Sequence, residues 1–211
     1  MFRIKICGIA TADDASLAVS CGADAVGINF FRGSRRFVPE DAAREIVEAV
    51  GSRAEVIGVF VNESPEEVAR LCGRLGIRRV QLHGDETAGD AARIGLWRMK
   101  AVHAALPVDL EALRAYPCEA FLLDAGGPGE YGGTGKELPW ETLSGRFGEL
   151  GKPWVLAGGL TPENVERAIV TARPAGVDAA SGVEASPGRK DPEKVAAFIE
   201  NAKAGFRRAG R

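Results

Sequence analysis

Phe2-Arg3-Ile4-Lys5-Ile6-Cys7-Gly8 is a short run of largely apolar, alternating character that stops at a Cys-Gly pair. Such a run reads as a buried strand that ends in a loop, with a thiol at the junction. The same pattern recurs along the chain at Ala25 to Phe30, Glu55 to Val61, Arg79 to Leu82, Leu96 to Ala101, Ala120 to Asp124, Pro153 to Ala157 and Val177 to Ala180. These make eight candidate strands. Amphipathic stretches separate them, among them Ala42 to Val50, Pro65 to Leu75, Pro162 to Ala172 and Asp191 to Phe206, several opened by Pro, Asp, Ser or Thr at a cap position. Strand followed by helix, repeated, requires a parallel sheet. Eight repeats with short strands apolar on both faces fit a closed α/β barrel, a single-domain (β/α)8 fold, better than the alternative of an open doubly wound sheet. At about 26 residues per unit it is a compact version of a fold that typically takes ~250 residues. The unit after Leu96 to Ala101 has the weakest helix, because Leu106-Pro107-Val108 interrupts it.

The chain has 211 residues, 45% hydrophobic and 27% charged, a composition suited to one soluble domain, 1–211, with a full core. A formal charge of -2 gives no general attraction to nucleic acid or to an anionic membrane, so any phosphate recognition has to be local. No apolar run approaches the roughly 20 residues of a membrane span, and Met1-Phe2-Arg3-Ile4-Lys5 lacks a secretory apolar core. A cytoplasmic protein is expected. Cys7, Cys21, Cys72 and Cys118 are scattered without a C-x-x-C pair, which argues against disulfides and zinc. The last three read as small buried hydrophobes.

A barrel of this kind builds its active site at the carboxyl ends of the strands. Cys7, Arg36, Gln81, His83, Asp124, Gly158, Gly159, Ser181 and Gly182 all fall on that rim, whereas Arg3 and Lys5 precede it along their strand. The turns Ala157-Gly158-Gly159-Leu160-Thr161-Pro162-Glu163-Asn164 and Ala180-Ser181-Gly182-Val183-Glu184 follow strands seven and eight, where glycines let backbone N–H groups converge on a phosphate. Taken singly, each also reads as an ordinary tight turn. Cys7 and Asp124 read together as base and acid of a proton transfer, the thiol needing help to ionise and the carboxyl kept protonated by desolvation. A buried inert thiol and a loop-capping Asp are the alternatives. Arg36 offers a planar fork for a carboxylate, Gln81 and His83 read as pocket lining, and Asp178 as a residue that orients loops. His103, Trp97 and Trp154 carry no signal beyond packing. The glycine-dense segment 126–136 reads as a mobile covering loop, and it lacks the order of a nucleotide P-loop.

Lys5-Ile6-Cys7-Gly8-Ile9, Gly22 to Gly27, Ser34 to Phe37, Gly58 to Asn62, Gln81-Leu82-His83-Gly84, Leu122-Leu123-Asp124, Tyr131 to Lys136, Leu156 to Asn164 and Asp178 to Glu184 together resemble, in order and over nearly the whole chain, the phosphoribosylanthranilate isomerases of tryptophan biosynthesis. The resemblance implies a ribulose-phosphate-binding (β/α)8 barrel, monomer or homodimer, that converts N-(5-phosphoribosyl)anthranilate to 1-(2-carboxyphenylamino)-1-deoxyribulose 5-phosphate by an Amadori rearrangement. It implies Asp124 as acid and Cys7 as base, Arg36 on the anthranilate carboxylate in preference to its neighbour Arg35, and the glycine turns on the phosphate. It also implies no cofactor and no metal, since the iminium is itself the electron sink. Two other readings stand beside it. One is an aldose-ketose isomerase of histidine biosynthesis, against which Cys7 argues because such relatives use an Asp there. The other is a noncatalytic barrel that binds a phosphometabolite, which would keep its ligand after loss of Cys7 and Asp124.

Overall fold

The structure is a computed structural model that describes residues 1–103, 109–124 and 140–210. Among these, eight parallel strands close in chain order into a barrel: β1 (Ile4–Cys7), β2 (Ala25–Asn29), β3 (Glu55–Phe60), β4 (Arg79–Leu82), β5 (Trp97–His103), β6 (Ala120–Asp124), β7 (Trp154–Leu156) and β8 (Gly176–Ala179). The ring is sealed by β1 pairing with β8 through Ile4↔Val177, Lys5↔Asp178 and Ile6↔Ala179. This is the expected (β/α)8 fold. The helices between the strands are α1 (Ala12–Cys21), α2 (Glu40–Val50), α3 (Pro65–Leu75), α4 (Ala88–Arg93), α5 (Leu110–Ala115), α6 (Trp140–Gly148), α7 (Val165–Ala172) and α8 (Pro192–Arg208). A 3₁₀ turn, Ser181–Val183, and a small hairpin of β9 (Glu184–Ser186) and β10 (Arg189–Lys190) lie between β8 and α8. No helix among the described residues is long and apolar enough to cross a membrane.

Two apolar layers hold the barrel, and the period-2 alternation of each strand sorts residues between them. Ile4, Ile6, Val26, Ile28, Val80, Leu82, Phe121, Leu123 and Val177 face outward against the helices. Ala25, Ile57, Met99, Ala101, Ala120, Leu122 and Val155 fill the interior. Near the carboxyl ends the interior positions change character, becoming Lys5, Cys7, Gln81, His83, Asp124 and Asp178. Polar side chains therefore form the top of an otherwise apolar plug, and this is what positions the site.

Helix starts follow their caps. Thr11, Ser64, Thr87, Asp109 and Asp191 each accept a backbone N–H of the first turn with the side chain. Since Asp191 is a cap, α8 begins one residue later than its pattern suggests. The shift at α7 is larger, from Pro162 to Val165. Asn164 accepts the Thr161 N–H at 2.8 Å and donates to the Gly159 carbonyl at 2.9 Å, so residues 159–164 form a clamped turn ahead of the helix. Strand β5 runs on to His103, beside Asp124 in register. The interrupted segment 106–108 and the glycine-rich covering loop 126–136 lie outside the described residues.

Candidate active site

A pocket opens at the carboxyl ends of the strands, and Cys7, Arg36, Gln81, His83, Asp124, Gly158, Gly159, Ser181 and Gly182 all line it. Strand order decides how they are arranged. Cys7 ends β1 and Asp124 ends β6, with β7 and β8 between them on the closing side of the ring. The thiol and the carboxyl therefore stand on separate walls, and the two glycine turns occupy the arc from one to the other.

Those turns meet at close quarters. Gly158 and Gly159 both adopt left-handed backbone, with φ of 80° and 64°, and their N–H groups find no acceptor among the described residues. A Cβ on Gly182 would stand 1.9 Å from the Leu160 carbonyl oxygen, so only glycine lets the β8 turn pack against the β7 turn. Free N–H groups on a surface without side chains are suited to an anion.

Asp124 is 3% exposed, and its Oδ2 lies 3.3 Å from His83 Nε2. On the far side of the ring, His83 Nδ1 makes a 2.6 Å hydrogen bond with the Gln81 amide. With Gln81 Nε2 as donor, Nδ1 accepts, and the remaining ring proton sits on Nε2 facing Asp124. The imidazole lines the pocket between Gln81 on β4 and the carboxyl on β6, as expected, and its Nε2 makes no hydrogen bond among the described residues.

Arg36 is half-buried and points into the pocket, whereas Arg35 is exposed. Its Nε and Nη2 each donate to a Glu184 oxygen at 2.7 Å, a two-pronged bond that raises the guanidinium above its ordinary range. Glu184 also accepts from Lys190 Nζ at 3.0 Å. Burial works against a charged Glu184, but Arg36 and Lys190 outweigh it and hold the carboxyl below its usual value. Ser34 Oγ accepts the Arg36 N–H and braces the loop from behind. One edge of the guanidinium is thus committed inside the protein, and the Nη1 edge is left for a ligand.

Burial pushes the Cys7 thiol above its ordinary 9.0, and Lys5 is the first group to oppose that rise. Lys5 was placed below the rim by its position in the strand. It does precede the rim, and its Nζ bonds the carboxylate of its register neighbour Asp178 on β8, at 3.0 Å from both oxygens. Among the described residues no cluster of three His, Cys, Asp or Glu donors is arranged to hold a metal ion.

The family described as N-(5'-phosphoribosyl)anthranilate (PRA) isomerase matches residues 4–201. The chain belongs to this family. Among curated members of the PRA isomerase family it is 46% identical over 202 residues to the enzyme of Neisseria meningitidis, spanning 95% of this chain and 96% of that one. It is 47% identical to that of Trichlorobacter lovleyi, spanning 96% and 98%. The crystal structure of the Thermotoga maritima phosphoribosyl anthranilate isomerase superposes with a TM-score of 0.88 at 41% identity, covering 96% of this chain and 99% of that chain. A further phosphoribosyl anthranilate isomerase, solved with reduced 1-(o-carboxyphenylamino)-1-deoxyribulose 5-phosphate, superposes with a TM-score of 0.84 at 38% identity, covering 96% and 99%.

Within this PRA isomerase barrel, the Lys5–Asp178 and Arg36–Glu184 pairs were not read from the sequence. Lys5 had a usable signal: it stands two residues before Cys7 on one strand, hence on the same inward face. Glu184 had none, because the Arg36 contact joins residues 148 positions apart.

Proposed function

We infer that this enzyme isomerises N-(5'-phosphoribosyl)anthranilate to 1-(2-carboxyphenylamino)-1-deoxyribulose 5-phosphate, a step of tryptophan biosynthesis, with Asp124 as general acid and Cys7 as general base. The observation that carries the assignment is the shared pocket in which acid and base face each other on β6 and β1, the two glycine turns lying between.

With the sugar phosphate anchored by the N–H groups at Gly158, Gly159, Ser181 and Gly182, the ribose lies along the arc from Asp124 to Cys7. Asp124 gives its proton to the furanose ring oxygen as the C1–O bond breaks, and the nitrogen lone pair closes an iminium at C1. Cys7, as thiolate, then takes the proton from C2. The C–H electron pair moves into the C1–C2 bond while the iminium pair returns to nitrogen, which gives an enolamine. A proton then adds to C1 as the C2 hydroxyl gives up its own, the O–H pair forming the C2 ketone. His83, held by Gln81, stands 3.3 Å from the Asp124 carboxyl and walls its side of the pocket. Arg36 holds the anthranilate carboxylate through its Nη1 edge while Glu184 keeps the other edge in place.

A phosphorylated intermediate of amino-acid biosynthesis suits a cytoplasmic location and one catalytic domain spanning 1–211, acting as monomer or homodimer. The test is the decay of anthranilate-type fluorescence when the protein meets freshly made N-(5'-phosphoribosyl)anthranilate. Decay by wild type, with Cys7→Ala and Asp124→Ala both inert, is the expected result. Equal decay in either variant would remove that residue from its role.

A further inference from the structure

Lys5 is 0% exposed, and a lysine ammonium is rarely taken so far from water without a partner that compensates. The partner is Asp178, reached across the β1–β8 seam. The acid–base reading of Cys7 and Asp124 assigns no task to this pair, yet it is built into the polar layer under the thiol. We propose that Lys5, fixed by Asp178, is the positioning residue of the base: its ammonium supplies the positive charge that holds the Cys7 thiolate until it takes the substrate proton. The proposal rests on the reading of Cys7 as base.

Three features place the charge where it is needed. Lys5 and Cys7 are two residues apart on β1 and so share its inward face. On β2, Gly27 stands in register with Cys7. The point where a Gly27 Cβ would sit is 2.7 Å from Cys7 Sγ and 3.1 Å from both Cε and Nζ of Lys5. The missing side chain is therefore the space in which stem and thiol converge. Asp178 accepts from Lys5 symmetrically, at 3.0 Å to each oxygen, which holds Nζ from the β8 side.

The electrostatics agree in sign from both partners. Burial alone would lower the Lys5 ammonium, but Asp178 and Cys7 together hold it above its ordinary 10.5. Burial raises Cys7, and the charge of Lys5 opposes the rise. The other charges facing the thiol are Asp178 from β8, which disfavours the thiolate, Lys190 from the β9–β10 hairpin, which favours it, and Arg36 from the β2–α2 loop. Lys190 and Arg36 are both bound to Glu184. His83 and Asp124 act one step further away, on Asp178.

The pH dependence of alkylation tests this without relying on turnover. Iodoacetamide labelling of Cys7, read on its own peptide by mass spectrometry, gives the ionisation midpoint of the thiol in wild type, Lys5→Met, Asp178→Asn and Lys5→Met/Asp178→Asn. The double variant removes the ion pair whole, so no uncompensated buried charge remains to unfold the protein. An opposite charge at such range typically shifts a titration by about one pH unit or more. The midpoint should rise by that order in Lys5→Met, rise by less in the double variant, where loss of Asp178 offsets part of the effect, and fall in Asp178→Asn, where Lys5 serves the thiol alone. In the kinetic assay Lys5→Met should lower kcat, leave KM near wild type, and regain rate as pH rises. A midpoint unmoved in the double variant, or raised in Asp178→Asn, overturns the proposal and leaves the pair a structural bridge. If instead Cys7→Ser keeps wild-type turnover, the base assignment itself fails, whatever the alkylation midpoints do.

Discussion

Gly182→Ala tests whether the two glycine turns hold the substrate's phosphate. The new methyl would lie 1.9 Å from the Leu160 carbonyl oxygen, 2.9 Å from its carbonyl carbon and 3.2 Å from Thr161 Cα. All three are backbone atoms, so no side chain can swing aside to relieve the clash. Ordinary contact begins near 3.4 Å, and the β8 and β7 turns must part by more than about 1 Å to reach it. Overpacking of this kind costs typically ~1–3 kcal/mol, which in a chain of this size lowers the unfolding midpoint by a few degrees. The functional loss is larger, since a misplacement of ~1 Å in a positioning element can cost about a hundredfold in rate. The phosphate takes no part in bond changes, so its binding energy serves to hold C1 and C2 against the acid and base. We expect kcat/KM to fall by about two orders of magnitude, through a lower kcat as well as a higher KM, and inhibition by inorganic phosphate to weaken in parallel. Gly73→Ala is the control, because its Cβ on α3 would meet nothing within 4 Å; it should keep wild-type kinetics. The measurements are progress curves of substrate fluorescence at several concentrations, repeated with added phosphate. A folded Gly182→Ala protein with the KM and phosphate inhibition of wild type would show that the turns do not cradle the phosphate.

Cys7→Ser should fold normally and lose most turnover, since a hydroxyl is a far weaker base than a thiolate; near-native kcat would refute the role. Arg36→Met removes a charge-assisted contact worth about 1.5–3 kcal/mol, so KM should rise by roughly one to two orders of magnitude, and an unchanged KM would rule out the clamp. Glu184 has a folded-state pKa below its unfolded one, so the stability it adds is fully present above the ordinary carboxyl value of 4.5 and is lost as pH falls through the depressed value. Thermal melts between pH 3 and 6 should therefore show a steeper acid loss in wild type than in Glu184→Gln, and parallel curves would contradict the linkage. Cys72, buried in α3 and pushed up to about 12, should resist thiol reagents in the native state until the protein is unfolded, as followed by peptide mapping.

How much of this was legible in the sequence depends on whether a contact is local. Strand positions were readable because a strand buried on both faces shows as a continuous apolar run, and each one ended within a few residues of its expected place. The rim followed from a rule about barrels, which is why Cys7, Asp124 and the two glycine turns fell into one pocket. The start of α7 was not readable, because Asn164 chooses a side-chain bond to Gly159 and Thr161 over the first helical turn. The Arg36–Glu184 and Lys5–Asp178 pairs were hidden for a different reason. Both depend on ring closure, which brings β8 and the loop after it beside β1 and the loop after β2.

Ring closure also explains why the site is built from two neighbouring charge clusters instead of isolated residues. Glu184 gathers Arg36 and Lys190 at one side of the pocket, while Asp178 holds Lys5 beneath Cys7. In each cluster a buried carboxylate fixes a cation beside the pocket. Burial makes the arrangement effective, since a charge in low dielectric acts more strongly on its neighbours than it does in water. It also makes each cluster intolerant of losing a single member, because the survivor is left charged without compensation. Paired removal is therefore the informative experiment at both sites. The double variant tells whether a cation serves the chemistry, whereas the single variant mixes that service with the penalty of an orphaned charge.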